Sequence, residues 1–426
     1  MRVLLVSANT EQINMPVLPL GLACVAAFIQ EKGHDVKVVN LMMQKDTRIV
    51  IKEAITVFNP QVIGISVRNI DDQKLGSAHL LLDPVKEVVA DCRDFSDVPI
   101  VLGGAGYSIF PQSTLEYLGA DMGIQGEGEI SFSKLLEHLE NNEEPSGVPG
   151  LYLPNKGLQK ETEYSKNLNK FPMPLPGIHM VSHSDPRDSE IWIPFQTRRG
   201  CPLNCSYCST ATIEGRIIRK HEPEHVIDAL SRYVDSGFKR FFFVDNIFNL
   251  PPSYAKKLCD KLTSSGLNIT WKCILYPWKV DEELVEKMAR AGCQEVSLGF
   301  ESGSKKILQK MNKKYTPEQV RQISALLKKY GINQLGFLLL GGPGETKKTI
   351  LESLSFADSL NLEAMKVTKG IRIYPYTDLA KTSIKEGLIK NEGELLFPTF
   401  YTAKGLEDWL EQTIDEWMET RPNWIL

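Results

Sequence analysis

The chain has 426 residues, of which 42% are hydrophobic and 24% are charged. These values are ordinary for globular proteins and exclude a disordered or fibrous chain, and the length predicts two or three domains. The formal net charge of −4 offers no basic surface for a nucleic acid or an anionic membrane. No apolar run approaches the roughly 18 residues of a membrane helix, and no signal-peptide pattern is present. We therefore expect a cytoplasmic protein without a membrane span, whose eight cysteines do not form a disulfide framework.

The first 140 residues alternate between short apolar runs and segments of helical spacing. The pattern predicts strands at Val3–Ser7, Val36–Val39, Val62–Val67, Ile100–Leu102 and Met122–Ile124. It predicts helices at Leu20–Lys32, Val85–Cys92, Leu115–Leu118 and Ile130–Leu139. Strands that alternate with helices indicate βαβ units, and parallel strands buried on both faces are continuously apolar. We therefore predict a doubly wound, Rossmann-like parallel sheet for residues 1–140.

A polar, Pro-rich segment at residues 141–190 follows, and we interpret it as a linker with one small hairpin near Leu151–Leu153. The alternation then resumes over residues 191–385. The six predicted strands are Trp192–Gln196, Arg240–Val244, Ile269–Ile274, Glu295–Gly299, Gln334–Leu340 and Glu363–Ile373. Six βα units in series predict a partial (β/α)6 barrel, in which chemistry lies at the carboxyl ends of the strands. The fold class is therefore α/β in both halves, and residues 386–426 are predicted to form a helical tail.

Three cysteines, Cys201, Cys205 and Cys208, lie within eight residues directly after the first strand of the second half. Thiolates are soft ligands that suit zinc or an iron–sulfur cluster. A structural zinc site needs four ligands, and the fourth would have to come from His221 or His225. Three thiolates leave one iron of a four-iron cluster open to a small molecule, which indicates a catalytic cluster.

The spacing of these cysteines matches the CxxxCxxC motif of the radical S-adenosylmethionine (SAM) enzymes, and residues 190–385 resemble that family in the order of their elements. The resemblance implies an oxygen-sensitive 4Fe–4S cluster whose open iron is chelated by the amino and carboxylate groups of SAM. It also implies SAM contacts after three further strands, from Asp245, Asn249, Glu301, Gly341 and Gly342. Helix capping, a solvated loop acid and an ordinary turn are the alternative interpretations of these places.

The first half resembles the cobalamin-binding domain that precedes the barrel in one branch of that family. Four loops carry the resemblance, and each follows a strand: Pro16–Leu22, Gly64–Gln73, Gly103–Pro111 and Gly126–Glu129. Doubly wound sheets bind ligands at this edge. The resemblance implies cobalamin contacts from Pro19, Leu20, Ser66, Arg68, Asn69, Gly103, Gly104, Tyr107, Ser108, Gly126 and Glu127. The alternative is a Rossmann-like domain that binds no ligand.

Two motifs of related folds are absent from the sequence. No histidine has a DxHxxG context, the motif whose histidine binds cobalt in many cobalamin proteins. We therefore expect cobalt without a protein histidine ligand. No GxGxxG sequence occurs, so a dinucleotide site is not expected.

The resemblance implies a cobalamin-dependent radical SAM C-methyltransferase, in which a 5′-deoxyadenosyl radical activates a substrate carbon and methylcobalamin supplies the methyl group. It implies an external electron donor of the flavodoxin or ferredoxin type. A metabolite, a lipid, or a peptide or protein residue would be the substrate, held by Arg199, Tyr276, Trp278 and Tyr374. Because reacting atoms must approach to about 3–3.5 Å, the cobalamin loops should face the cysteine loop across a shared cavity.

Two alternative functions stay open at this point. A cobalamin-dependent radical SAM cyclase or rearrangement enzyme would use the same cofactors without methyl transfer. A corrinoid-binding sensor or carrier with a structural metal would not be an enzyme at all, and the cysteine triplet argues against it.

Overall fold

The computed structural model describes residues 1–11, 18–42, 44–174 and 192–426. Positions 16 and 17 of the first predicted cobalamin loop and residues 175–190 of the predicted linker lie outside these ranges. In the described ranges, no helix is both long enough and apolar enough to cross a membrane.

The first half of the chain forms a seven-stranded sheet with the strand order β2-β1-β3-β4-β5-β6-β7. Its strands are β1 (Arg2–Ser7), β2 (Asp35–Asn40), β3 (Val62–Ser66), β4 (Ile100–Gly103), β5 (Met122–Ile124), β6 (Leu151–Leu153) and β7 (Gly157–Leu158). Its helices are α1 (Leu20–Glu31), α2 (Thr47–Phe58), α3 (Leu82–Phe95), α4 (Ala105–Ile109), α5 (Pro111–Leu118) and α6 (Gly128–Glu140). Strands β1 to β5 pair in parallel, which confirms the predicted doubly wound sheet.

Two features of this half differ from the sequence-based prediction. Helix α2 was not predicted, because its run of β-branched residues obscures the helical spacing; Asp46 caps it by accepting a hydrogen bond from the Ile49 N–H. The hairpin predicted near Leu151 is present, but β6 pairs antiparallel with β5 and so extends the first sheet beyond residue 140.

The second half forms another seven-stranded sheet, with the order β18-β15-β14-β13-β12-β11-β8. The strands of this half are β8 (Ile193–Phe195), β9 (Arg198–Arg199), β10 (Arg219–Lys220), β11 (Arg240–Phe243), β12 (Thr270–Leu275), β13 (Cys293–Glu301), β14 (Asn333–Leu340), β15 (Ala364–Lys369), β16 (Ile371–Arg372), β17 (Phe400–Tyr401) and β18 (Trp424–Ile425). Its helices are α7 (Thr210–Glu214), α8 (Pro223–Asp235), α9 (Pro252–Ser265), α10 (Glu282–Arg290), α11 (Lys305–Lys310), α12 (Pro317–Lys329), α13 (Lys347–Leu360), α14 (Asp378–Lys385) and α15 (Glu407–Met418).

The strands of this second sheet pair in parallel, which confirms the predicted partial barrel. The predicted tail is more than a helix, because β18 adds a seventh strand, with Trp424 opposite Met365 of β15. Short antiparallel pairs, β9 with β10 and β16 with β17, lie outside the main sheet.

The two halves share a continuous core. One set of buried apolar side chains extends from Ile65 in the first sheet, through Phe110, to Phe195 and Phe243 in the second. A separate set covers the other face of the first sheet, where α1 and α6 pack. The halves are therefore packed against each other, so that loops from both can contribute to one site.

Candidate functional site

A cavity of about 360 Å³ lies at the carboxyl edge of the first sheet, between the two halves. The predicted cobalamin residues that line it are Pro19, Leu20, Ser66, Arg68, Gly103, Gly104, Gly126 and Glu127. The second half contributes Pro194, Gln196, Arg199, Ile213, Glu214 and Val244. Arg199 lies two residues before Cys201 in the chain. The cavity wall thus includes residues on either side of the cysteine loop, and the expectation that the cobalamin loops face that loop itself across the cavity stays a prediction.

Three predicted cobalamin residues lie elsewhere. Asn69 lines a small cleft beside the cavity. Tyr107 is fully buried under β5, and its hydroxyl has no hydrogen-bond partner in the part of the chain that the structure describes. Ser108 donates to the Gly104 carbonyl at 2.8 Å and accepts from the Gly126 N–H at 2.9 Å. The Ser108 hydroxyl therefore ties two lining loops together rather than facing the cavity.

The cavity also has lining residues outside the predicted loops, including Ser7, Asn9 and Phe132, and Gly21 and Glu129 line it from loops that were predicted. Ser7 and Asn9 could have been found, because they lie at and after the carboxyl end of β1, where such sheets bind ligands. A Cβ atom on Gly21 would meet no atom of the described residues within 4 Å. This glycine therefore leaves open space in the cavity wall.

Arg68 brings an uncompensated positive charge to this cavity. Burial lowers the pKa of its guanidinium, and no acidic group opposes that effect. Arginine stays protonated in proteins, so a cation without a carboxylate partner among the described residues faces the space. No histidine lines the cavity among the described residues. The described lining of the cavity thus offers the Arg68 guanidinium, which can donate hydrogen bonds to oxygen atoms of a ligand, and it offers no imidazole.

A buried network of ion pairs joins α6 to the strands beside the cysteine loop. Arg199 pairs with Glu129 at 2.6 Å and lies 3.4 Å from Glu127, and Arg219 also pairs with Glu127. The Arg199 guanidinium further donates to Gln196. Arg199 and Glu127 line the cavity, but their charges are already satisfied by protein partners. The substrate contact predicted for Arg199 stays a prediction, whereas its role in linking the two halves is observed.

The three cysteines lie on the loop between β9 and α7, and backbone hydrogen bonds hold that loop in place. The Cys201 N–H donates to the Gly215 carbonyl at 3.1 Å, and the Cys208 N–H donates to the Cys205 carbonyl at 3.2 Å. Burial raises the pKa of the Cys201 thiol to about 11, helped by the other two thiols, which must become anionic in the same place. All eight cysteines are free.

The donor set fits a cluster better than a single ion. In the described ranges, no three His, Cys, Asp or Glu side chains are gathered as a site for one metal ion. The rings of His221 and His225 stack on each other at 5.3 Å, and burial lowers the pKa of His221 to about 3. Neither ring joins the thiols, so neither histidine supplies the fourth ligand that structural zinc would need.

Glu301 ends β13 with a positive φ of 61°, a conformation that is strained for a residue with a side chain. Its carboxylate lies 3.2 Å from the ammonium of Lys313, which the sequence pattern did not single out.

The hydroxyl of Tyr276 accepts a hydrogen bond from the Lys314 N–H at 3.0 Å, so it is engaged within the protein. Tyr374 is largely buried, and both Arg372 and the Cys208 thiol lie near enough to affect its pKa, which burial raises.

Four other predicted SAM residues make their hydrogen bonds within the protein. The Asp245 carboxylate accepts from the N–H groups of Thr197 and Arg198 at 2.7 and 3.0 Å. Asn249 holds the turn after β12 by bonding to the backbone of Tyr276 and Trp278. The N–H groups of Gly341 and Gly342 donate to the Glu345 carboxylate. These groups are engaged within the protein, and the SAM contacts of Asp245, Asn249, Gly341 and Gly342 stay predictions.

Comparisons with known proteins cover both halves of the chain. Residues 196–357 match the Radical SAM superfamily, and residues 6–136 match the B12 binding domain. The chain is 29% identical over 400 residues to the uncharacterized methyltransferase PH0819 of Pyrococcus horikoshii, which covers 91% of this chain and 84% of that protein. It is 23% identical over 440 residues to the tryptophan 2-C-methyltransferase of Streptomyces laurentii, which covers 88% and 73%.

The fold is shared with TsrM, a radical S-adenosylmethionine methyltransferase of Kitasatospora setae. The structure of TsrM with tryptophan substrate and a SAM analog aligns with a TM-score of 0.87 at 21% identity, over 100% of this chain and 90% of that one. The structure of TsrM with cobalamin and a 4Fe–4S cluster aligns with a TM-score of 0.85 at 22% identity. The arrangement of the two halves described above is therefore that of a known fold.

Proposed function

With a B12-binding domain followed by a radical SAM domain, the chain belongs to the cobalamin-dependent radical SAM enzymes, and on that premise we propose that it is a methyltransferase acting on an unactivated carbon. Two of the relatives that match along most of the chain are methyltransferases. The structural observation that carries the proposal is the cavity shared by both halves, whose wall reaches Arg199, two residues from Cys201. A methyl donor in the first half and a radical source in the second would meet there.

The first half fits a cobalamin. Gly21 leaves room for a large ligand in the cavity wall, and Gly103 and Gly104 expose backbone at the edge of the sheet. The unpaired guanidinium of Arg68 can donate hydrogen bonds to phosphate or amide oxygens of the ligand. Since no histidine of the described residues lines the cavity, we propose that cobalt has no protein histidine ligand.

The second half fits a 4Fe–4S cluster with one open iron. Cys201, Cys205 and Cys208 would hold three irons, and SAM would bind the fourth. When bound, the cluster and SAM supply a 5′-deoxyadenosyl radical, and cobalamin supplies a transferable methyl group. The protein's task is to position these groups and to exclude water from the cavity.

The chain's own residues perform that positioning. The Arg199–Glu129 pair fixes α6 against the strand that leads into the cysteine loop, at 2.6 Å. Glu301, at the end of β13, offers a carboxylate for the amine or ribose hydroxyls of SAM. Tyr374 is our proposed contact for the substrate, because its ring lies 5.3 Å from the guanidinium of Arg372 and the Cys208 thiol is near enough to raise its pKa.

Reduction of the cluster requires an electron that this chain does not itself supply. We propose a flavodoxin or ferredoxin as the electron donor. We also propose the cytoplasm as the compartment, because free thiols persist where the surroundings are reducing.

The test is a labelling experiment under anaerobic conditions. The protein, reconstituted with iron, sulfide and methylcobalamin, is incubated with a chemical reductant, a metabolite extract and SAM that carries a deuterated methyl group. We expect 5′-deoxyadenosine and S-adenosylhomocysteine to form only with extract, and mass spectrometry to detect a product that carries the deuterated methyl. The matched control is Cys205→Ala, which should form neither compound.

Two outcomes would contradict the proposal. Release of 5′-deoxyadenosine without any labelled product would indicate a cyclase or rearrangement enzyme. A colourless protein that binds zinc and does not cleave SAM would indicate a carrier or sensor with a structural metal.

A further inference from the structure

Helix α11 and the residues after it carry a cluster of lysines on the surface of the second half. We call residues 305–314 the α11 segment. Its exposed lysines are Lys305, Lys306, Lys310 and Lys314. In the described part of the chain, only Lys313 of this segment has a carboxylate partner, Glu301 at 3.2 Å, and it is almost completely buried. Residues 302–317 contain these five lysines and no acidic residue, although the chain has a net charge of −4.

The stability of the fold does not explain this cluster. Lys306 and Lys310 are four positions apart in α11, so they share a face of the helix and repel each other. Another exposed lysine of this half, Lys381, instead lies 2.9 Å from a carboxylate oxygen of Asp378. An acidic ligand at the α11 segment would relieve the repulsion among its lysines.

The α11 segment contacts the cysteine loop directly. The N–H of Ser206, which lies between Cys205 and Cys208, donates to the Met311 carbonyl at 3.2 Å. Nζ of Lys313 lies 2.9 Å from the hydroxyl oxygen of Tyr207. These two contacts join the segment to the middle of the loop that would hold the cluster. The four exposed lysines therefore lie on the protein surface next to the proposed cluster site.

A redox partner fits this position better than a substrate does. The proposed cluster needs an electron from outside the chain, and the donor must come close to the cysteine loop to deliver it. Encounters between electron-transfer proteins are weak, bury little surface and are guided by complementary charge. Exposed, unpaired lysines next to that loop would attract a carrier that is acidic around its redox group.

We propose that the α11 segment is the docking surface for a small acidic carrier protein that delivers one electron to the cluster. In this step the carrier is oxidised by one electron and the cluster is reduced by one, and no bond forms or breaks between the two proteins. The proposal rests on the proposed function, because it requires a cluster on the neighbouring loop.

The test measures how fast a reduced flavodoxin reduces the cluster, by anaerobic stopped-flow absorbance without SAM or substrate, and how tightly the two proteins bind, by calorimetry. We expect Lys306→Glu/Lys310→Glu to lower the second-order rate constant and the affinity about tenfold at low ionic strength. The difference from the wild type should shrink as salt is added, because salt screens exposed charges. An uncharged photochemical reductant should reduce the cluster equally fast in both proteins.

The matched control is Lys52→Glu/Lys239→Glu, which changes the net charge by the same amount at two other exposed lysines. Lys239 directly precedes β11, so it lies at the amino end of the second sheet, whereas the cysteine loop follows the carboxyl end of a strand. This variant should keep most of the wild-type rate constant. An equal fall in both variants would reflect net charge alone and would overturn the inference.

The same measurements with a ferredoxin as the carrier complete the test. Rate constants that are equal in the wild type and in Lys306→Glu/Lys310→Glu with both carriers would overturn the inference while leaving the proposed function intact. Loss of binding to added tRNA with unchanged reduction rates would assign the surface to a nucleic acid and would also overturn it. A wild-type protein that binds no cluster would overturn both the inference and the proposed function.

Discussion

The carboxylate of Asp71 in the first half and the guanidinium of Arg372 in the second form a buried ion pair, with 2.8 Å between Oδ2 and Nε. The two residues are 301 positions apart, and neither side chain is more than 3% exposed. Arg372 also donates to the carbonyl oxygens of Ile373 and Leu395. Together with the Arg199–Glu129 pair, this contact holds the two halves of the site in one arrangement.

Replacing Asp71 by Ala should therefore destabilise the protein by about 3–5 kcal/mol, because Arg372 is left buried without its counter-charge. Adding Arg372→Met should recover part of that loss. Urea unfolding of the anaerobic protein measures both effects. Asp94→Asn, which breaks an exposed pair with Arg48, is the control and should have little effect. An Asp71→Ala protein as stable as the wild type would contradict the importance of the pair.

Alanine at any of Cys201, Cys205 or Cys208 should abolish formation of 5′-deoxyadenosine and reduce the iron bound after reconstitution. The reason is that these are the three soft ligands on one loop, and two thiolates do not hold a cluster with a single open iron. Iron analysis and chromatography of the reaction measure the two effects. Cys92→Ala, a buried cysteine in α3, should keep both iron and activity. A triple variant that still binds iron and cleaves SAM would refute the assignment.

Cobalamin in the Co(II) state should show no hyperfine splitting from a protein nitrogen, because no histidine of the described residues lines the cavity. Growing the protein on ¹⁵N separates protein nitrogens from those of cobalamin itself. We expect electron paramagnetic resonance spectra of the ¹⁴N and ¹⁵N proteins, loaded with the same cobalamin, to coincide. A splitting that changes with the isotope and disappears in one histidine variant would show that the protein does bind cobalt.

Gly21→Leu should weaken cobalamin binding without lowering the melting temperature of the protein. A Cβ atom at Gly21 meets no atom of the described residues within 4 Å, and leaving glycine favours the first turn of α1 by about 0.5–1 kcal/mol. The new side chain nevertheless occupies the cavity. Absorbance of bound cobalamin and thermal unfolding measure the two effects. Gly147→Leu, which also meets open space but lies outside the cavity lining, is the matched control. Unchanged cobalamin binding in Gly21→Leu would place the ligand elsewhere.

Glu345 should make stability fall as pH rises through neutrality. Burial raises its pKa to about 7, against the opposing effect of the Gly341 and Gly342 N–H groups, whereas an unfolded glutamate has a pKa of about 4.3. Between these values the folded state keeps a proton that the unfolded state has lost, so the stabilisation is complete below about pH 4.3 and is lost above pH 7. The resulting loss in the free energy of unfolding is on the order of 3 kcal/mol.

Glu345→Gln imitates the protonated carboxyl and should remove this part of the pH dependence. Free energies of unfolding at pH 5 and pH 8 for the two proteins measure it, and the wild type should lose more stability between the two. The same loss in both proteins would show that Glu345 does not titrate in this range.

Local patterns were sufficient for the order of the elements and for the cysteine loop. Apolar runs such as Val62–Val67 report a strand that is buried on both faces, and the spacing from Cys201 to Cys208 lies within a single loop. Both patterns are formed by residues close together in the chain, so they can be recognised without knowing which segments pack against them. The same reasoning placed most of the predicted cobalamin loops at one edge of the sheet, because parallel strands end at the same edge.

Only the tertiary structure decided which charged groups meet. Arg199 was predicted to face a substrate, yet it pairs with Glu129, which lies 70 positions earlier in the chain. Lys313 resembled any other lysine of a polar loop until packing buried it beside Glu301, and β18 became a strand by pairing with β15. Hydrophobic spacing reports which side of an element avoids water, but the partner of a buried charge depends on which distant segments fold against it. No local pattern carries that information.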